Sequence, residues 1–452
     1  MFVNCYPNQN EIKLNTFEQV LKWKKFPIDQ AKIDYRQIFS NFLSNPAKYR
    51  EKSRWEIFKY HCQNTEFYQD FLPKEAFSSW ENIPVMTKFD LQTPLENRIS
   101  ANFLMKDLFV NKTSGSSGHP FIFAKDKYAH ALTWAHIIQL YKELDIVVGK
   151  SLEARFYGIP KDFMGFQKER LKDKFAKRYR FDIFDLSEDN LHQFLKLFQT
   201  KKFEIINGYT SSIVRFAKFL KRKNVVLKTI CPSLKVAITT SEMLFPEDFV
   251  LLKNQFGVPI INEYGASELG VIAFADSTGK MWLNESTLYT EAVDEKGKPL
   301  PSGEAGQLLV TSLHNKAHPF IRYKIGDIGK IEIDPNTGRR FLAELVGRTN
   351  QFAQLPSGKT IPALSFYYVT KSVIEDDGKV QEIKVIQEQI NSFTIEYVSE
   401  QELDEHQKKQ ISKAVNQYLE PGLNLTFVQK TELERSKSGK LKQFVSKVGS
   451  VN

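Results

Sequence analysis

The sequence predicts an α/β protein with a large N-terminal domain, which has mostly parallel sheets and a small barrel-like part, and a small mobile α+β C-terminal domain. The first observation is length, because 452 residues are about twice the size at which one hydrophobic core stops growing. The second is an alternation in which FEIING at 203–208 precedes a helical segment and LKVAIT at 234–239 follows it. Such alternation is typical of parallel βαβ units. The third is a series of short strands separated by turn signals at 281–333, which predicts an antiparallel or barrel-like part.

In chain order, the sequence first predicts a helical cap over residues 1–95, a segment rich in aromatic side chains. This cap belongs to a large domain of residues 1–346. The turn PNTG and the segment LVGRTN mark its end, so residues 347–452 form the small domain. In the small domain, EIKVIQ and SFTIEYV predict two strands, 401–419 a helix and LNLTFV a further strand.

Composition limits the possible partners and compartment. A formal net charge of +10 favours acidic partners such as nucleotides, coenzyme A, an acidic carrier protein or an anionic membrane surface. No basic tail or zinc-finger pattern is present, so we expect no nucleic-acid binding. Cys5, Cys62 and Cys231 are too scattered for a disulfide framework or a CxxC metal site. With neither a signal-peptide pattern nor 18 consecutive apolar residues, we expect a cytoplasmic protein without a transmembrane segment.

The strongest local motif is TSGSSGHP, which follows the β-type run LFVNK and precedes an amphipathic helix. Small residues let the backbone approach a ligand closely, and N–H groups and hydroxyls can surround phosphate oxygens. The motif has no lysine after its second glycine and is therefore not a Walker P-loop. An ordinary flexible connection is the alternative for this motif alone. The candidate phosphate-binding residues are Thr113, Ser114, Gly115, Ser116, Ser117 and Gly118.

A second motif, NEYGASELG, follows the apolar run VPII. A strand that ends in a glycine-containing turn presents its next side chains at the carboxyl edge of the sheet, where open α/β folds bind ligands. The carboxylates of Glu263 and Glu268 suit Mg²⁺, and Tyr264 offers a flat face to a base. A surface loop with two solvated acids is the alternative.

Two further segments each contribute one charged side chain. Asp327 in IRYKIGDIGK is expected on a glycine-flanked turn, where its carboxylate can accept hydrogen bonds from two ribose hydroxyls. Lys440 in ERSKSGKLKQF follows a flexible Ser-Gly pair, and a mobile lysine can offset charge between a carboxylate and an α-phosphate. Taken singly, the first segment is equally compatible with an ordinary turn aspartate, and the second is more typical of a solvated basic stretch.

The four motifs, in this order and at this spacing, resemble the adenylate-forming superfamily of acyl-CoA synthetases, adenylation domains and luciferases. IPVMTKFDLQ, INGYTSSI and TSLHNKAHPFIRYKIGDIG are similar to the phenylacetate-CoA ligase branch, which includes capsular-polysaccharide-associated relatives. The resemblance covers residues 80–350 well and the C-terminal hundred loosely. It implies ATP-dependent activation of a small carboxylic acid to an acyl-adenylate, followed by acyl transfer.

The resemblance also implies roles for matching residues. Residues 113–118 would hold the β- and γ-phosphates of ATP, Asp327 would bind the ribose and Lys440 would contact the carboxylate and α-phosphate. Glu268 would hold Mg²⁺, and Asn350 falls where the family hinge lies. The remaining implied nucleotide-site residues are Ser241, Glu242, Asn262, Glu263, Tyr264, Gly265, Ala266, Ser267 and Arg348, with Tyr264 stacked on adenine.

The acyl pocket should lie between GYTSS, TTSEM and the YGASE loop, with candidate walls at Tyr157, Tyr209, Ser212, Thr240 and Ala266. These residues are equally compatible with an ordinary core, and aromatic, fatty and amino acids all remain possible substrates. After AFADSTGKMW the cysteines and histidines of some relatives are missing, so we expect no zinc. Coenzyme A is the expected acceptor. The alternatives are a carrier-protein thiol, an amine, or a non-catalytic nucleotide-binding role.

Overall fold

The computed structural model of the protein describes residues 15–74, 77–113, 122–158, 163–348, 352–362, 380–399, 401–435 and 441–448. It begins with four helices: α1 Thr16–Trp23, α2 Ile28–Ser44, α3 Pro46–Asn64 and α4 Glu66–Phe71. Asn15 and Asn45 cap α1 and α3, because their side chains accept hydrogen bonds from the first free backbone N–H groups. Across the described part of the chain, no helix combines the length and apolarity that a membrane span requires.

A hairpin leads from these helices into the main sheet. Its strands are β1 Leu108–Lys112 and β2 Ile122–Asp126, and α5 Lys127–Glu143 follows directly. Asp126 caps α5 by accepting the N–H of Ala129 at 2.7 Å. One side of α5 packs against α1 and α2 through Leu21, Tyr35 and Leu132. Helix α5 is therefore fixed between the N-terminal helices and the sheet.

One half of the central sheet is parallel, with the spatial order β4-β3-β5-β6-β7. The strands are β3 Glu153–Phe156, β4 Arg178–Arg180, β5 Ile205–Tyr209, β6 Val236–Thr240 and β7 Ile260–Ala266. The crossover helices are α6 Phe163–Phe175, α7 Glu188–Thr200, α8 Thr210–Arg222, α9 Leu227–Ile230 and α10 Pro246–Phe256. The βαβ unit expected from FEIING and LKVAIT is β5-α8-β6, which confirms that prediction.

The other half of the sheet is antiparallel and continues from β7 in the order β8-β9-β13-β12-β11-β10. The strands are β8 Gly270–Ala275, β9 Met281–Leu283, β10 Leu288–Val293, β11 Ala305–Ser312, β12 Tyr323–Ile333 and β13 Arg340–Arg348. The predicted antiparallel part at 281–333 is confirmed.

Asp327 lies inside β12, so the predicted turn at this position is wrong. The pairing of β11 with β12 shifts from Gln307 opposite Ile328 to Leu309 opposite Lys324, which leaves a bulge around Asp327. Gly326 has a φ of 92° in this bulge, a conformation that glycine adopts without strain. The glycine pattern therefore produces a local bend within one strand and keeps Asp327 at the sheet.

The parallel half is buried on both faces, as expected for strands covered by helices. One face packs with α8 and α10 into a core rich in phenylalanine, including Phe156, Phe198 and Phe216. The opposite face packs against α5 through side chains such as Ile238 and Ile261. The two faces thus have separate apolar cores, and the face toward α5 also borders the site.

The C-terminal part has a sheet and a core of its own. Val385, Phe393 and Ile411 belong to a cluster drawn entirely from residues 353–444. The sheet order is β18-β17-β16-β19, with β16 Val380–Gln389, β17 Ser392–Ser399, β18 Asn424–Lys430 and β19 Phe444–Ser446. A hairpin, β14 Phe352–Gln354 and β15 Thr360–Pro362, precedes it, and α11 Glu405–Tyr418 packs on it. The predicted small α+β region is confirmed.

The C-terminal part contacts the amino end of α8 and the segment after β6. The backbone N–H of Leu441 donates to Oε1 of Glu242 at 3.0 Å, and Nη1 of Arg435 donates to Oγ of Ser211 at 3.2 Å. Nζ of Lys218 donates to the carbonyl of Val380 at 3.4 Å. These contacts hold the two parts beside the carboxyl edge of the parallel strands.

Candidate active site

A cavity of about 340 Å³ runs from the sheet face covered by α5 to the carboxyl ends of β6 and β7. Sites of small-molecule ligands commonly occupy this edge of an open α/β sheet. Ten of the residues that the sequence predicts for the site line this cavity. These are Thr113, Tyr157, Thr240, Ser241, Glu263, Gly265, Ala266, Ser267, Glu268 and Asp327.

Two predicted nucleotide residues bond directly to each other. The Tyr264 hydroxyl donates to Oδ2 of Asp327 at 2.6 Å, which links β7 to the bulge of β12. The bond fixes the edge of the aromatic ring beside the Asp327 carboxylate. The pair thus offers a flat face and a carboxylate side by side.

Parallel pairing positions the next part of the wall, because Thr240 lies opposite Glu263 in the β6–β7 register. The Thr240 hydroxyl donates to Oε1 of Glu263 at 3.1 Å. Burial raises the pKa of the Glu263 carboxyl, although this hydrogen bond acts in the opposite direction. Ser241 follows with a φ of 69°, a conformation that is costly for a residue with a Cβ and often occurs at functional sites.

Glu268 is a buried acid at the end of the YGASE segment, with 4% of its surface exposed. The Tyr323 hydroxyl on β12 donates to its Oε1 at 3.1 Å. Since β12 also carries Asp327, this one strand contacts Glu268 and supplies Asp327, two of the four acidic side chains of the cavity.

Comparison with known proteins gives consistent results. No family model matches the sequence. Protein CapK of Staphylococcus aureus is 22% identical over 365 residues, which are 78% of this chain and 78% of CapK. Phenylacetate-coenzyme A ligase of Pseudomonas putida is 27% identical over 186 residues, which are 37% of this chain and 41% of the ligase. These similarities agree with the resemblance to the adenylate-forming superfamily that the sequence motifs indicate.

Solved structures of a CoA ligase share the fold. The 2-hydroxyisobutyryl-CoA ligase in complex with 2-HIB-AMP, in the postadenylation state, has a TM-score of 0.68 at 15% identity and covers 89% of both chains. The same ligase in the thioesterification state, with 2-HIB-AMP and CoA, has a TM-score of 0.53 over 89% of this chain. The protein as described here is thus more similar in overall arrangement to the first state.

Several residues that the sequence predicts for the site are not among those that line the cavity. The Glu242 carboxylate accepts the N–H of Ser211 at 2.7 Å and that of Leu441 at 3.0 Å. Ser212 is fully buried on α8, and the Tyr209 ring lies 4.7 Å from that of Tyr157. Two further residues, Asn262 within β7 and Arg348 opposite Asp327 in the β12–β13 register, complete this set. Ser114, Gly115, Ser116, Ser117, Gly118, Asn350 and Lys440 lie outside the described residues.

Lys125 was not predicted from the sequence. It lies on β2 with 5% of its surface exposed, and its Nζ donates to Oγ1 of Thr133 at 3.3 Å. Burial lowers the pKa of Lys125 to about 8, while the nearby Glu268 carboxylate acts in the opposite direction. A lysine in a strand that must lie under α5 is the signal that could have revealed it.

A cluster of charged and polar side chains on β3, β4 and β5 was also missed. Glu153, Arg155, Arg178 and Asn207 all line the cavity. The signal is the strand EARF, because both faces of a parallel sheet are covered and a charged side chain there must be buried.

One carboxylate of the cavity wall has the properties that a Mg²⁺ ligand needs. Within the described ranges, no group of three or more His, Cys, Asp or Glu side chains could hold a metal ion. Mg²⁺ at nucleotide sites needs only one or two carboxylates, because water and phosphate oxygens supply the other ligands. Glu268 is a buried carboxylate of the cavity wall and fits that requirement.

Proposed function

We propose that this protein uses ATP to activate a small carboxylic acid as an acyl-adenylate, releases pyrophosphate, and then transfers the acyl group to coenzyme A. The observation that carries this proposal is that Thr113, Glu263, the segment 265–268 and Asp327 line one cavity. These residues come from separate motifs of the sequence, and together they supply the groups that an adenylating site needs.

Binding of ATP would follow the chemistry of these walls. The Asp327 carboxylate would accept hydrogen bonds from the ribose hydroxyls, while the Tyr264 ring, held by its bond to Asp327, would stack on adenine. Ser241 and the segment 265–267 would line the rest of the nucleotide, and Asn262 and Arg348 would also belong to this site. Residues 113–118 would bind the β- and γ-phosphates through backbone N–H groups and hydroxyls.

In the first half-reaction, a carboxylate oxygen of the acid attacks the α-phosphorus of ATP. The new P–O bond forms as the bond to the bridging oxygen breaks, and pyrophosphate leaves with the electron pair. Lys440 and the donors of 113–118 would offset the charge that develops on the phosphoryl oxygens. Glu268 would hold Mg²⁺, which when bound neutralises phosphate charge.

In the second half-reaction, the thiolate of coenzyme A attacks the acyl carbon and AMP leaves. We propose that residues 1–346 and 347–452 act as two domains and that the small domain rotates about Asn350 between the two steps. Similarity to two CoA ligases supports coenzyme A as the acceptor. A cytoplasmic location, where ATP and coenzyme A are supplied, is part of the proposal.

Acid-dependent exchange of labelled pyrophosphate into ATP tests the first half-reaction without the acceptor. With the correct acid we expect exchange, and we expect Glu268→Gln and Asp327→Ala to lower its kcat/KM by roughly 10²-fold or more. Glu304→Gln, at an exposed position away from the cavity, is the control. The proposal is wrong if no acid in an aromatic, fatty and amino acid panel supports exchange although ATP binds. Product analysis with coenzyme A, hydroxylamine and amines then identifies the acceptor.

A further inference from the structure

The sheet face toward α5 carries charges where an apolar surface is expected. Ile238 and Ile261 belong to the apolar core of this face. On β3 and β5, however, Arg155 lies directly opposite Asn207, and Glu153 lies one pleat away on the same face. Buried charges are costly unless they are paired. Their presence beside a cavity calls for a functional explanation.

In this cluster, two arginine side chains pair with one glutamate. Glu153 is the centre: its Oε1 accepts from Nη1 of Arg155 at 2.7 Å and its Oε2 from Nε of Arg178 at 3.0 Å. Two guanidinium groups therefore share the Glu153 carboxylate, and the Glu263 carboxylate of the same cavity also interacts electrostatically with Arg155. Nearby, Nδ2 of Asn207 donates to the Tyr141 hydroxyl at 3.0 Å.

Arg155 has an unused donor. Its Nε is buried and has no hydrogen-bond partner among the described residues. The guanidinium carbon lies 4.1 Å from the centre of the Tyr157 ring, which limits how the group can turn. An unpartnered buried donor costs more than a satisfied one, so an acceptor that enters the cavity here would gain a charge-assisted hydrogen bond.

The position of Arg155 in the sheet indicates that it would contact the acid substrate and not the nucleotide. Asp327 on β12 marks the proposed ribose end of the cavity, and Thr240 and Glu263 lie in the middle on β6 and β7. Arg155 on β3 lies beyond them at the opposite end. A substrate whose carboxylate reaches the α-phosphate would extend its remaining atoms toward this end.

We infer that the acid carries a second oxygen acceptor, a hydroxyl, carbonyl or second carboxylate, and that Arg155 binds it as a specificity-determining residue. This inference rests on the proposed function. It predicts a small polar acid as the substrate, in contrast to an apolar aryl or alkyl acid.

Matched acids test the inference with the unmodified protein. Butyrate is compared with 3-hydroxybutyrate, acetoacetate and succinate, and phenylacetate with 4-hydroxyphenylacetate, in the pyrophosphate exchange assay. We expect at least one oxygenated acid to exceed its apolar partner by about tenfold or more in kcat/KM, and the preferred oxygen group identifies the acceptor. The inference fails if exchange occurs and every apolar acid equals or exceeds its oxygenated counterparts. If no acid supports exchange, the proposed function fails, and the inference with it.

Variants separate binding from structure. Arg155→Met should lower kcat/KM for the preferred oxygenated acid by about tenfold or more and leave its apolar partner unchanged or improved, whereas a structural role lowers both equally. Arg155→Lys, which keeps the charge, should retain part of the preference for the oxygenated acid. It replaces Arg155→Met in the test if the methionine variant does not fold. Arg222→Met, at a surface ion pair with Glu188, is the matched control. Equal losses for both acids in a folded Arg155 variant would overturn the inference.

Discussion

The Tyr264 hydroxyl and the Asp327 carboxylate form a 2.6 Å hydrogen bond across 63 residues of sequence, and this bond joins two motifs at the proposed nucleotide site. Tyr264→Phe keeps the ring but removes the bond, so we expect the KM for ATP in the exchange assay to rise about 3- to 10-fold. Asp327→Ala should raise it further, because the proposed ribose acceptor is lost as well. The KM for the acid should stay constant. A variant that raises only the KM for the acid would contradict this role.

The Glu242 carboxylate joins the large domain to the C-terminal segment by accepting the N–H groups of Ser211 and Leu441. Glu242→Gln presents an amide NH₂ to one of these donors, so we expect about a tenfold lower exchange rate. Thioester formation from synthetic acyl-adenylate and coenzyme A should be unaffected, because the contact belongs to the arrangement described here. Single-turnover measurements of both steps test this. A change confined to the KM for ATP would instead support the nucleotide role that the sequence predicts for Glu242.

The sequence predicts those features that depend on local pattern. The unit β5-α8-β6 and the loop 262–270 follow from apolar periodicity and turn residues, which are properties of neighbours along the chain. Asp327 shows the limit of that approach, since flanking glycines fit a turn and a bulge equally well, and only the partner strand distinguishes the two. For Lys125 and Arg155 the sequence offers only the signal of a charge within a strand, because their position relative to the cavity depends on where α5 packs.

Lys125 is a buried cation that lowers the stability of the folded state. Its pKa is lowered to about 8, mainly by burial, so below that pH the folded state holds an unfavourable charge. Lys125→Met should therefore stabilise the large domain at pH 7 by about 1–3 kcal/mol, and lower exchange by about tenfold or more if the charge serves the reaction. In the wild type, stability should rise between pH 8 and 10.5, where the unfolded state binds more protons.

Urea unfolding followed by tryptophan fluorescence measures the effect, because all 5 tryptophans lie between positions 23 and 282. Thr133→Val removes the hydroxyl that accepts from Lys125 and is the matched control. If Lys125→Met lowers both stability and exchange, the lysine is a structural residue.

His61 makes the stability of the large domain depend on pH. It is fully buried, with Nδ1 2.8 Å from Oγ1 of Thr65 and Nε2 2.9 Å from the carbonyl oxygen of Asn315. A carbonyl only accepts, so Nε2 carries the proton, Nδ1 accepts from the threonine hydroxyl, and the ring is neutral. Burial accordingly lowers the pKa of His61 from 6.5 to about 4.

The direction of the pH effect follows from this lowered pKa. Between pH 6.5 and 4 the unfolded state takes up the proton first, so the stability that His61 contributes is complete above pH 6.5 and lost as pH falls through 4. His61→Gln should reduce the slope of unfolding free energy against pH in this window by about 1.4 kcal/mol per pH unit, whatever its effect on stability itself. His406→Gln, at an exposed position on α11, should leave the slope of the fluorescence-detected transition unchanged. Identical slopes for the His61 variant and the wild type would mean that His61 is not the group that titrates.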